Sequence, residues 1–166
     1  RKIRQAEEKR DALEYKRNKL EQEKAKALSQ KGSCFPAEVM VRVPDGDWRM
    51  ISSIQSGDVI QTLDIGHDQI MNREVVEAYQ SDNNHYYLIN NELRVTGGER
   101  FLTPDGWKTA RNLQEGEMVM RESGFAPIAS IVLVQEDLTV YNLQVQDSHT
   151  FYVSAGNDAY LVHNTG

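Results

Sequence analysis

A single cysteine, Cys34, stands in the whole 166-residue chain, which excludes an internal disulfide and leaves the redox compartment open. The histidines at 67, 85, 149 and 163 are scattered without metal-ligand spacing, so neither a structural metal nor another cofactor is expected. No apolar run approaches the roughly 18 residues of a membrane span, and no charged stretch leads into an apolar core like that of a signal peptide. The chain is therefore expected to be a soluble protein, or a soluble piece of a larger one, without a membrane partner.

Glycine and proline are missing from residues 2–29, which are instead dense in Ala, Glu, Gln, Lys, Leu and Arg. These good helix formers predict one N-terminal helix. Its apolar seam is poor: Ile3, Ala6, Leu13, Leu20 and Ala27 keep heptad spacing, but Arg10, Arg17 and Lys24 occupy alternate seam positions, which argues against a stable coiled coil. The net charge of −6 is uneven, with 11 basic against 6 acidic residues in 1–31 and 8 against 19 in 32–166. Because acids are interleaved with the bases, a solvated spacer helix is preferred to a nucleic-acid-binding arm. Residues 1–31 are thus set apart as a charged helical or flanking segment.

From Gly32 onward short apolar runs alternate with turn signals. Residues 39–43, 58–63, 74–79, 85–89, 128–134, 139–145 and 150–153 are rich in β-branched and aromatic side chains and predict strands. Gly, Asn, Asp and Pro clusters near 44–46, 56–57, 64–66, 90–91, 104–106, 115–116 and 155–157 predict the turns between them. The fold class is all-β, with one hydrophobic core well within reach of about 130 residues.

The β region also carries an internal duplication. Pro44-Asp45-Gly46, Trp48, Ile54, Gly57 and Asp58 answer Pro104-Asp105-Gly106, Trp107, Leu113, Gly116 and Glu117, at an offset of 60 residues that becomes 59 after a one-residue deletion. Two copies of one β unit, each too small to close its own core, predict a pseudo-two-fold pair. Carried upstream, the offset sets Cys34 opposite Arg94, beside Thr96-Gly97-Gly98-Glu99, so the two loops are expected to share a central cleft.

The chemistry-bearing residues cluster at the two ends of this region. At the far end, His163-Asn164-Thr165 aligns a proton donor, a carboxamide that can attack its own backbone carbonyl, and a hydroxyl nucleophile. Closing an Asn164 succinimide breaks the Asn164 to Thr165 bond once the departing amine is protonated, and a histidine titrating near the ordinary value of about 6.5 suits that task. The apolar run 160–162 predicts a short buried strand that carries this peptide into a packed site. At the near end, Cys34 sits at the junction between the charged segment and the β region, where a cleavage nucleophile belongs; as a lone cysteine it also fits a small buried core residue.

Cys34-Phe35-Pro36-Ala37-Glu38, Gly57-Asp58-Val59-Ile60, Leu93-Arg94-Val95-Thr96, Gly106-Trp107-Lys108, Val140-Tyr141-Asn142-Leu143, His149-Thr150-Phe151 and Leu161-Val162-His163-Asn164 together resemble the Hint superfamily. This superfamily comprises inteins, bacterial intein-like domains and the autoprocessing domain of hedgehog proteins. The resemblance covers residues 34–164 and implies a horseshoe of mostly antiparallel strands with both ends in one cleft, followed by residues 165–166 as the start of a downstream flank. It implies an N–S acyl shift at Cys34, attack by Thr165, and cyclisation of Asn164 assisted by His149 and His163, all on the chain's own flanking polypeptide and without nucleic acid. Thr96 and the residue three positions on implicate the loop that activates the first bond.

Two positions depart from the family pattern. Glu99 stands where the family usually has histidine, and Asn142 where inteins often carry Asp or Cys. A carboxyl replaces an imidazole as proton donor only if burial holds its pKa well above the ordinary carboxylate range, and an amide exchanges no proton. Both fall on the Cys34 side of the cycle or between its steps, and spare His163 and Asn164. Two further readings stay open: a Hint domain limited to cleavage after Asn164, and an inert β scaffold or interaction module behind a helical spacer.

Overall fold

The computed structural model describes residues 15–17 and 34–163. Residues 15–17 are helical, and the rest of the expected N-terminal helix lies outside the described residues. In chain order the strands are β1 (Phe35–Pro36), β2 (Met40–Arg42), β3 (Trp48–Met50), β4 (Val59–Asp64), β5 (Gln69–Asn83), β6 (Tyr86–Ile89), β7 (Leu93–Val95), β8 (Arg100–Thr103), β9 (Gly106–Thr109), β10 (Met118–Arg121), β11 (Gly124–Pro127), β12 (Ile131–Val134), β13 (Leu138–Val145), β14 (Thr150–Ser154) and β15 (Tyr160–His163). The all-β fold class is thereby confirmed.

Three antiparallel sheets curl around one core. The largest runs β11-β10-β15-β14-β2-β3, with β8 pairing β15 and β9; a second runs β1-β13-β5-β4 and a third β12-β6-β7. The last strand, β15, is consequently a central one, bonded to β14, β8 and β10. Its Tyr160, Leu161 and Val162 are all essentially removed from water, and burial of each such side chain contributes about 1.5 to 3 kcal/mol. The last described strand is thus threaded through the middle of the sheet.

The duplication is reproduced bond by bond in the backbone. In the first copy the Ile51 N–H donates to the Val39 carbonyl and the Ser52 N–H to that of Ala37; in the second, Ala110 donates to Glu99 and Arg111 to Gly97. Gly57 donates to Val75 and Val75 to Asp58, as Gly116 donates to Ile128 and Ile128 to Glu117. The carboxylates match as well, Asp58 accepting from the Gln55 N–H and Glu117 from the Gln114 N–H. Gly57 and Gly116 both adopt φ near +90° (94° and 89°), a conformation that favours glycine and explains its recurrence in both turns. This correspondence makes Glu99 the counterpart of Val39, and both side chains are buried, at 0% and 2% exposure.

Seven expected strands are present, with shifted ends. The run 128–134 yields a strand only from Ile131, because Ile128 closes the second-copy turn instead. β5 extends far beyond 74–79: its polar first part pairs with β4 and its polar last part with β13. No helix among the described residues is long and apolar enough to cross a membrane.

Candidate functional site

The loop between β7 and β8 joins the two ends of the domain. Thr96 exchanges two hydrogen bonds with Cys34: the Cys34 N–H donates to Thr96 Oγ1 at 3.2 Å, and the Thr96 N–H donates to the Cys34 carbonyl at 3.1 Å. Four residues on, Arg100 pairs with His163 in the β8–β15 ladder. Between them the Glu99 N–H closes a turn on the Thr96 carbonyl at 3.1 Å. Gly97 is required by close approach, since a Cβ there would lie 3.0 Å from the Tyr87 ring and 3.3 Å from Arg111 Nε. The Arg111 N–H and Nε both donate to the Gly97 carbonyl, pinning the loop from outside.

The Cys34 end is dry. Cys34, Thr96, Glu99 and Asn142 are exposed by 1%, 2%, 0% and 3%. Burial, reinforced by the nearby negative charge of Glu99, pushes the Cys34 thiol up to about 12, so the thiolate is scarce at neutral pH. Asn142 lies on β13 beside Tyr141, the residue that pairs with Phe35 of β1. Its Oδ1 is buried without a hydrogen-bond partner among the described residues, leaving an acceptor in this corner for a donor group.

The His163 end is wetter and aromatic. The His163 ring stacks on that of exposed His149 at 5.7 Å between centroids and meets the Trp107 ring edge-on at 5.0 Å. Trp107, His149 and His163 line an open groove shared with Asp64, Arg73 and Asp147. Burial first, then the positive charges of His149 and Arg100, hold His163 below its ordinary value. The ring is therefore more weakly basic than sequence reasoning assumed, and is predominantly neutral at pH 7. Asn164 and Thr165 lie outside the described residues.

A polar network that sequence reasoning missed anchors the start of β15. The Tyr160 hydroxyl donates to Glu92 at 2.6 Å and accepts from Asn90 Nδ2 at 2.8 Å. Arg121 pairs with Glu92 at 2.9 Å and lies 3.9 Å over the Tyr160 ring, while Asn157 Nδ2 donates to the other Glu92 oxygen at 2.6 Å. Burial would raise the Glu92 pKa, but hydrogen bonds from Tyr160 and Asn157 and the charge of Arg121 together hold it below the ordinary value. These residues come from three segments far apart in the chain, 90–92, 121 and 157–160, and no sequence pattern connects the three. Trp107 was visible as a member of the repeat, but nothing in the sequence tied it to His163. Among the described residues, no group of three or more His, Cys, Asp or Glu is arranged to hold a metal ion.

The profile of the family described as the pretoxin HINT domain matches residues 40–165. The fold resembles the bacterial intein-like domain from Clostridium thermocellum, with 26% identity, a TM-score of 0.70, and coverage of 79% of this chain and 98% of that one. It resembles the DnaB intein from Synechocystis sp. PCC 6803 at 19% identity and a TM-score of 0.66, covering 81% and 99% of the two chains. The TvoVMA intein is similar at 22% identity and a TM-score of 0.66, with 81% and 99% covered. No curated protein matches in sequence. The match to the family profile, over a β horseshoe of the kind found in inteins, shows that this chain belongs to the pretoxin HINT domain family.

Proposed function

We propose that residues 34–164 are a self-processing domain acting on its own flanks, residues 1–31 upstream and the segment that starts at Thr165 downstream. In the full cycle, Cys34 Sγ attacks the Ser33 carbonyl carbon, the Ser33 to Cys34 C–N bond breaks, and the freed amine takes the thiol proton. Thr165 Oγ then attacks the thioester carbonyl and expels the Cys34 thiol, giving a branched ester. Asn164 Nδ2 attacks its own carbonyl carbon and expels the Thr165 amine, which receives a proton; the ester then rearranges to a peptide bond. The observation that carries this reading is the 96–100 segment, whose one end is bonded to Cys34 and whose other end pairs with His163. Holding reacting groups together in this way contributes on the order of 7 to 11 kcal/mol.

Within that cycle we assign Thr96 and Glu99 to the first bond, Asn142 to the passage between steps, and His149 and His163 to cyclisation of Asn164. A second reading, cleavage after Asn164 alone, is favoured by a specific observation: the Cys34 thiol is pushed up to about 12 in a dry corner shared with Glu99. A domain of this kind frees a downstream segment, which accords with the pretoxin description of the family.

The test joins a longer segment after Gly166 and follows intact mass. Cys34→Ala is expected to abolish splicing and leave release of the downstream piece measurable over hours to days. Asn164→Ala is expected to abolish that release with or without Cys34. Continued release from Asn164→Ala would dismiss the succinimide mechanism, and a chain that stays whole in every variant would leave an inert scaffold.

A further inference from the structure

The repeat supplies two equivalent tryptophans that are used differently. Trp48 of the first copy pairs with Arg42 in the β2–β3 ladder and carries that guanidinium 4.4 Å over its ring. Its counterpart Trp107 pairs with Leu102, the counterpart of Arg42, and so meets no cation there. Leu102 and Arg100 share one face of β8, because alternate residues of a strand point the same way. Arg100 in turn pairs with His163, so Trp107 reaches diagonally across β8 to the imidazole. The imidazole thus meets the indole edge-on and the His149 ring in a stack.

We propose that Trp107 is a positioning residue for His163, holding the imidazole in one orientation and shielding part of the ring from water. This rests on the role given to His163 in Asn164 cyclisation. An edge-on aromatic contact restricts the ring's rotation by packing rather than by a hydrogen bond. The charged and titratable groups about the ring are Arg100 from β8, His149 and Asp147 from the loop before β14, and Asp64 and Arg73 from β4 and β5.

Two measurements on the full chain test the proposal. In a chain carrying Asn164→Ala, which cannot cleave, the His163 ring is titrated by nuclear magnetic resonance with and without Trp107→Leu. The variant is expected to raise the midpoint toward the ordinary histidine value by about half a pH unit, since water regains that part of the ring. In the chain with Asn164 intact and a longer downstream segment, Trp107→Leu is expected to lower the limiting cleavage rate at acid pH roughly tenfold and move the pH profile up by the same half unit. Trp107→Phe, which keeps a ring, is expected to restore most of both and serves if the leucine variant fails to fold. An unchanged His163 midpoint overturns the proposal, whatever the rate does. A moved midpoint with an unchanged cleavage profile upholds the contact but removes His163, and therefore Trp107, from the chemistry.

Discussion

The Cys34 corner and the His163 corner are joined by a single short loop yet are built on opposite physical terms. Around Cys34 every candidate group is buried, one of them carries a carboxyl, and the thiol is pushed away from its reactive form. Around His163 the ring faces an open groove, is flanked by aromatics, and titrates low because of burial and two positive neighbours. A buried nucleophile needs a partner that takes its proton; an asparagine that attacks its own carbonyl needs only to be held and given a proton donor. Under the proposed cycle, the difference leaves the second reaction ready and holds back the first.

The sharpest way to break this contrast is to change Glu99. Glu99→His is expected to speed thioester formation at Cys34 by roughly a hundredfold, the order contributed by a positioned acid–base group. Release of residues 1–31 by added thiol at neutral pH reads it, and no acceleration would mean that Glu99 is already suited to the step.

The next contrast is in pH. A depressed His163 pKa leaves the ring neutral at pH 7, and its acid form grows as pH falls. Cleavage after Asn164 is accordingly expected to rise roughly tenfold for each pH unit lowered toward the His163 midpoint, then level off. The Cys34 step, limited by a thiol held far above neutrality, should move the other way and quicken with rising pH. Parallel profiles for the two steps would erase the distinction between the corners.

A smaller effect should separate the corners by anchoring. Tyr160→Phe removes the hydroxyl that bonds Glu92 and Asn90, and is expected to cost about 1 to 3 kcal/mol in urea unfolding. Cleavage at Asn164 should slow by a few-fold while thioester formation at Cys34 is unchanged. Smallest of all, trimming residues 1–31 should leave the thermal midpoint of the β domain where it is; a large drop would place that segment in the fold.

The repeat was the most legible part of the chain. Its Pro-Asp-Gly and Gly-Asp/Glu signals mark backbone turns, and turns depend on local chemistry that a sequence displays. The nearness of Cys34 to the 95–99 loop followed from the same offset, and the Cys34 to Thr96 bonds now give its detail. Strands β3 and β7 to β11 escaped because they are only three or four residues long, too short for an alternating pattern to declare itself. The ends of β5 escaped for a different reason: Gln69, Asn72, Gln80 and Asn83 are polar, and only ladders with β4 and β13 hold them extended. At the site, the depressed pKa of His163 could not be read because Arg100 and Trp107 reach it through β8 and β9, two of the unrecognised strands. The Glu92, Arg121 and Tyr160 network is a purely tertiary assembly.

Strand β15 is laced into the sheet by β14, β8 and β10, and each of these ladder pairs lies before the Asn164 to Thr165 bond. A cut at that bond would thus leave the domain's architecture undisturbed: the spent molecule should melt at the same temperature, absorb circularly polarised light in the same way and resist proteases as well as the fresh one. The domain would carry no conformational memory of having fired, and its history would be written only in its mass.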